Sequence, residues 1–114
     1  MSRVLVPLAE GCEELEAVTV IDILRRAEVE VVVAGLTGDL VTASRGTKLM
    51  PDMGLDEALR QDYDMAVLPG GMPGAAHLGD DARLTSLLRD LVASGKFVGA
   101  VCAAPKVLAD QGLL

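Results

Sequence analysis

Short apolar runs alternate with segments of helical spacing along this chain, and that alternation limits its fold more than any other feature. Val4-Leu5-Val6, Val31-Val32-Val33, Met65-Ala66-Val67-Leu68 and Phe97-Val98-Gly99-Ala100-Val101 are near-continuous apolar stretches of strand length. Such runs fit strands covered on both faces, as in a parallel sheet. Between them, Glu13–Ala27 reads as a helix whose Ala17, Val20, Ile21, Leu24 and Ala27 form one stripe. A second helix is predicted from an Asp80 N-cap through Leu84, Leu87, Leu88, Leu91 and Val92 to a stop at Gly95, with Arg83, Arg89 and Asp90 on its outer face. Strand and helix in alternation predict a doubly wound, mostly parallel α/β sandwich of the flavodoxin-like kind, with right-handed crossovers. Its site should lie at the carboxyl ends of the strands.

The remaining segments fit that frame. Asp39–Ser44 and Thr47–Met50 read as two short β segments about Arg45-Gly46, and Gly54–Arg60 as a short helix. Pro69-Gly70-Gly71-Met72-Pro73-Gly74 reads as a glycine-rich loop after the Met65 strand. Leu15, Val18 and Ile23 lie off the core stripe of the first helix, which predicts packing against a second surface such as another subunit. Residues 1–114 are read as one domain. Gly112 reads as the residue after a helix, and Leu113-Leu114 as the start of a further element. The expectation is therefore the N-terminal portion of a larger domain, whose C-terminal elements come from a continuation or a second chain.

Composition narrows the function. Hydrophobic residues make up 51% of the 114, enough for a real core, while aromatics are 2%, with no Trp, one Tyr and one Phe. Bases would find no stacking platform. Seventeen acidic against ten basic residues give a net charge of −7, which disfavours nucleic acid and anionic membrane as partners. Two cysteines make no disulfide framework, and neither a leader nor a spanning segment is evident, so a soluble protein in a reducing cytoplasm is expected.

Chemistry concentrates at three places on one edge of the sheet. Cys102 falls on the turn between the last strand and a helix carrying Pro105 in its first turn. There the helix N-terminus would favour thiolate over thiol; a buried small hydrophobe is the plainer alternative. The first helix brings Glu13, Glu14 and Glu16, and the glycine loop brings Gly70 and Gly71, whose backbone N–H groups a ligand can approach. Thiolate, amide donors and a carboxyl together make a nucleophile, an oxyanion hole and a proton carrier. Cys12 reads as a packed residue before a resolving thiol, Glu13 and Glu14 as solvated acids, and His77 as a surface or capping residue. The glycine loop lacks the G-x-G-x-x-G order, so no nucleotide cofactor is expected, and no ligand cluster suggests a metal.

Gly11-Cys12-Glu13-Glu14-Leu15-Glu16-Ala17-Val18, Ser44-Arg45-Gly46, Leu68-Pro69-Gly70-Gly71 and Val101-Cys102-Ala103-Ala104-Pro105 together resemble the ThiJ/PfpI superfamily, in its YajL-like branch close to the Parkinson-disease protein deglycase. The resemblance implies Cys102 as nucleophile and oxidation-sensitive thiol, and Glu16 as a protonated carboxylic acid hydrogen-bonded to it. Gly71 and Ala103 would supply the oxyanion hole, with Gly70 and Arg45 supporting the site. Arg45 would act across a homodimer interface made by the first helix. Many relatives place a histidine near the cysteine, beyond Leu114 in this numbering, and many carry glycine where Ala104 stands, so no cysteine–histidine dyad is claimed. The implied function is a cofactor-independent enzyme acting on a small reactive carbonyl or on glycated protein groups. A redox-responsive chaperone or sensor is the alternative, and a PfpI-type cysteine hydrolase the third reading.

Overall fold

A computed structural model describes residues 2–114. The chain runs β1 (Arg3–Leu8), α1 (Glu14–Arg26), β2 (Glu30–Gly35), β3 (Val41–Thr42), β4 (Lys48–Leu49), β5 (Met53–Gly54), α2 (Leu55–Ala58), β6 (Met65–Leu68), α3 (Gly74–Asp80), α4 (Ala82–Ala93), β7 (Phe97–Ala100) and α5 (Pro105–Asp110). Five strands form one sheet in the order β5-β2-β1-β6-β7, and all its pairings are parallel. β3 and β4 make a separate antiparallel hairpin. The doubly wound α/β sandwich expected from the apolar runs is the architecture observed.

Each sheet face carries its own core, because alternate residues of a strand point to opposite faces. Leu5, Val32, Ala66 and Leu68 pack with Leu55, Leu78, Leu84, Leu88 and Val107 from α2, α3, α4 and α5. Val4, Val6, Val31, Val33 and Val67 pack on the other face with Ala17, Val20, Ile21 and Leu24 of α1, and with Val41 and Leu49 of the hairpin. Burying one Val or Leu side chain contributes about 1.5–3 kcal/mol, so these two layers hold the sheet. No described helix is long and apolar enough to cross a membrane.

Several local expectations need correction. The cap of α4 is Asp81, which accepts from the Arg83 and Leu84 N–H groups, and Asp80 instead ends α3. α3 itself reads as loop because its Gly74-Ala75-Ala76 start has little helix signal; small size is what its packing needs, since a Cβ on Gly74 would stand 2.7 Å from Cys12. Arg83 does not simply face solvent. Its guanidinium pairs with Asp81 at 2.7 Å and Asp56 at 3.0 Å and donates to the Leu36 carbonyl at 2.8 Å, tying α4 to α2 and the end of β2. The edge strand β5, too short to show periodicity, follows Asp52, whose carboxylate accepts the Val33 N–H at 2.9 Å. Ala27 and Val92 are exposed, outside the stripes assigned to them.

The order of strands places the site. From β1 the chain moves to β2 on one side, then returns through β6 on the other, so the direction of winding reverses between β1 and β6. In open α/β sheets the crevice lies at that reversal, beyond the carboxyl ends. Here the Glu13 N–H donates to the Gly70 carbonyl at 2.9 Å and closes the gap between the two strand ends.

Candidate functional site

The β7-to-α5 turn is backbone-strained at its cysteine. Cys102 has φ +55°, a left-handed conformation that costs a residue with a side chain about 1–2 kcal/mol. The turn is held on both sides: the Val101 N–H donates to Leu68 and the Ala104 N–H to Val101. Pro105 then opens α5, as expected, because an N–H there would lack an acceptor. Strain kept in place by its surroundings is characteristic of sites where a side chain must be presented in one direction. Cys102 is exposed, so the buried-hydrophobe alternative fails.

Gly70 shows what the thiol is presented to. A Cβ added to Gly70 would stand 2.7 Å from Glu16 Oε1, 2.8 Å from Cys102 Cβ and 2.8 Å from the Val101 carbonyl. Only a residue without a side chain lets Glu16 and Cys102 converge across it. The Gly70 N–H also donates to Glu16 Oε1 at 2.9 Å, which fixes the carboxyl's orientation. Gly71 adopts φ +89° with its α-carbon packed against the start of α1, where a Cβ would lie 2.5 Å from the Glu13 nitrogen. Both glycines are therefore required by close approach.

Electrostatics at the thiol depart from the expected helix-end effect. Hydrogen bonding to the Glu16 carboxylate holds Cys102 above the ordinary thiol value, reinforced by the negative charge of Glu16, by some desolvation and by Glu13; the Ala103 N–H acts in the opposite direction. A short helix end is outweighed by a carboxylate in contact. While Glu16 is charged, the proton stays on sulfur. If Glu16 carries the proton, the same contact becomes O–H donation to thiolate and its sign reverses. The Glu16 carboxyl and the Cys102 thiol thus meet in one hydrogen bond.

Among the other sequence candidates, Cys12 is a packed residue. It is buried and free, and burial, with the nearby Glu14 charge, pushes its thiol up to about 11. His77 is exposed in α3 and lines a separate cavity of about 280 Å³ with Glu10, Leu36 and Asp81. Glu14, expected to be solvated, is instead an anchor. Its carboxylate accepts from Ser44 Oγ at 3.0 Å, Arg45 N–H at 3.1 Å and Thr47 N–H at 3.3 Å. Its own backbone N–H and these donors hold it down to about 2. The side chain of Arg45, at the tip of the hairpin, is exposed. The signal that could have revealed Glu14 is the pairing of an acid-rich helix start with a Ser-Arg-Gly-Thr turn whose N–H groups need acceptors. Among the described residues no group of three or more His, Cys, Asp or Glu is arranged to hold a metal ion.

Comparison with known proteins identifies the family and the fold. The model of the DJ-1/PfpI family matches residues 2–114. The chain is 46% identical to Protein DJ-1 homolog B of Arabidopsis thaliana over 98% of its own length and 26% of that protein's. It is 33% identical to the glutathione-independent glyoxalase DJR-1.2 of Caenorhabditis elegans, over 92% of this chain and 56% of that one. The solved structure of oxidized Toxoplasma gondii DJ-1 superposes with a TM-score of 0.97 at 45% identity, covering 100% of this chain and 63% of that one. The chain spans between 26% and 60% of the length of such curated relatives.

Proposed function

Because the chain belongs to the DJ-1/PfpI family, we propose that it forms the nucleophile-bearing part of a cofactor-independent enzyme that converts small reactive carbonyls, such as methylglyoxal, to hydroxy acids, or removes the same groups from glycated proteins. The observation that carries this reading is the convergence of Glu16 and Cys102 across Gly70, within 2.8 Å of a single missing Cβ. The glyoxalase relative from Caenorhabditis elegans supports the reaction class.

The steps balance without an external oxidant. Glu16 takes the thiol proton, and the Cys102 sulfur bonds to the aldehyde carbon while the carbonyl electron pair moves to oxygen. Gly71 and Ala103 N–H groups hold that oxyanion. Glu16 returns the proton to it, giving a hemithioacetal. The carboxylate then removes the proton on the sulfur-bearing carbon to give an enediol and delivers it to the neighbouring carbon, while the hydroxyl proton on the sulfur-bearing carbon passes to the neighbouring oxygen, so one carbon is oxidised as the other is reduced. The product, a hydroxyacyl thioester, is cleaved by water to hydroxy acid and free thiol. Nothing in the sequence calls for a nucleotide or a metal.

The same reading places the protein in the cytoplasm as a homodimer through the outer face of α1, where Leu15, Val18 and Ile23 stand exposed. Arg45 of one copy would then support the other's site.

The test is lactate formation from methylglyoxal by the full-length protein, followed by NMR. Activity is expected from the wild type and none above background from Cys102→Ala; equal lactate from both would reject the reading.

One observation favours a second, compatible role. Cys102 is exposed whereas Cys12 is buried, with its thiol pushed up to about 11, so mild peroxide should select Cys102. Such a sensor or redox-responsive chaperone predicts sulfinic acid at Cys102 alone by peptide mass spectrometry, and equal oxidation of Cys12 would exclude it. The hydrolase reading gains no comparable support, since His77 lines a different cavity.

A further inference from the structure

The first turn of α1 is gripped from two sides. On one side Gly70 uses both backbone groups: its carbonyl accepts the Glu13 N–H and its N–H donates to Glu16. On the other side the turn between β3 and β4 delivers Ser44 Oγ, Arg45 N–H and Thr47 N–H to the carboxylate of Glu14. Ser44 Oγ lies within reach of Glu13 as well, at 3.1 Å, and its N–H bonds the Cys12 carbonyl at 2.8 Å. Two residues apart on a helix, Glu14 and Glu16 point in directions about 200° apart. One acid therefore faces the hairpin while the other faces the thiol.

We propose that Glu14 is a positioning residue for the Cys102–Glu16 pair: by tying the Ser44–Thr47 turn to the start of α1, it sets where the Glu16 carboxyl stands against the sulfur. This rests on the proposed reading of Glu16 as the proton carrier beside Cys102, where the two side chains converge across Gly70. The hairpin adds only two residues per strand and makes no strand pairing with the main sheet, so its bonds to Glu14 act on the helix start rather than on the sheet. A shift of the helix start by 1 Å would break the Gly70-to-Glu16 bond, whose 2.9 Å length leaves little room.

The test is the pH dependence of Cys102 alkylation by iodoacetamide in the full-length protein, located by peptide mass spectrometry. Glu14 also carries charge of its own, as do Glu13, which acts on the thiol, and Arg45 in the turn bonded to Glu14, so the design must separate geometry from Coulomb effects. Glu14→Gln is expected to move the midpoint in the same direction as Glu16→Gln, by about 0.5 pH unit or more. In a Glu16→Gln background the same substitution should move it no further, because its effect passes through Glu16. Ser44→Ala, which changes no charge, should shift the midpoint in the same direction by less.

An equal Glu14→Gln shift in both backgrounds would show a direct charge effect and overturn the positioning role, as would no shift at all. If Glu14→Gln does not fold, Ser44→Ala in the two backgrounds decides by the same criterion. Should Glu16→Gln itself leave the midpoint unmoved, the reading of Glu16 as the partner of Cys102 fails and Glu14 with it; a shift from Glu16→Gln alone leaves that reading standing and removes only Glu14.

Discussion

Among the described residues two with side chains hold left-handed backbone, Cys102 at φ +55° and Glu28 at φ +63°, and they do so for different reasons. Glu28 follows the end of α1. The Glu28 N–H donates to Arg25 and the Val29 N–H to Leu24, a helix-terminating pattern in which glycine is the usual occupant. Its side chain is exposed, and the turn uses only its backbone. At Cys102 the backbone is bent so that the side chain meets Glu16 beside Gly70 and the Ala103 N–H. Similar torsional strain serves chain reversal in one place and the presentation of a thiol to a carboxyl group in the other.

Replacing each residue with glycine separates the two. Cys102→Gly removes the proposed nucleophile, so lactate formation should fall by about 10³-fold or more, as expected when a covalent intermediate is lost. Its urea midpoint should nevertheless rise, since the left-handed strain is relieved. A glycine variant that kept activity would mean the strain at Cys102 has no more chemical purpose than that at Glu28.

Enclosure of the turn gives the next largest effect. Gly70→Ala inserts a methyl group between Glu16 and Cys102, and such overpacking costs about 1–3 kcal/mol of stability. Displacing either partner by a few tenths of an ångström should lower turnover by about 10²-fold. Urea denaturation and NMR turnover check both, and an active Gly70→Ala protein would refute the convergence.

Acidic pH probes the anchor at the start of α1. Glu14 is held at about 2 against an ordinary value of 4.5, so its stabilising bonds are fully present above about 4.5 and fade as pH falls through 2. Wild type should lose its stability advantage over Glu14→Gln across that window, measured by urea midpoints at intervals from about pH 5 to 2.

The smallest effect belongs to Glu28→Gly. Relief of strain, offset by the greater freedom of an unfolded glycine, should raise stability by about 0.5–1 kcal/mol with turnover unchanged. Thermal unfolding and the lactate assay together report it.

How far the sequence revealed these features follows from the range of each interaction. The sheet was legible because Val4-Leu5-Val6 and Val31-Val32-Val33 carry their burial in consecutive residues. The turn at Cys102 was legible because a small apolar run and Pro105 flank it. What escaped depended on partners far along the chain. Glu14 becomes an anchor only when Thr47, 33 residues on, folds over it, and Arg83 leaves solvent only when Leu36 and Asp56 arrive. α3 leaves little trace in the sequence because alanine and glycine carry little hydrophobic period, and the cap of the following helix falls on Asp81, one residue beyond the Asp80 that the spacing predicts. The thiol's upward shift was also out of reach, since a helix-end argument weighs backbone dipoles and not the carboxylate that tertiary packing adds.

The central claim is that Cys102 supplies the bond and Glu16 moves the proton. Mixing the full-length Glu16→Gln protein with methylglyoxal, and following Cys102 adduct by mass spectrometry alongside lactate by NMR, tests it most directly. The account predicts that the adduct still forms while lactate appears about 10²–10⁴-fold more slowly than in wild type. Lactate released at the wild-type rate by Glu16→Gln would contradict it.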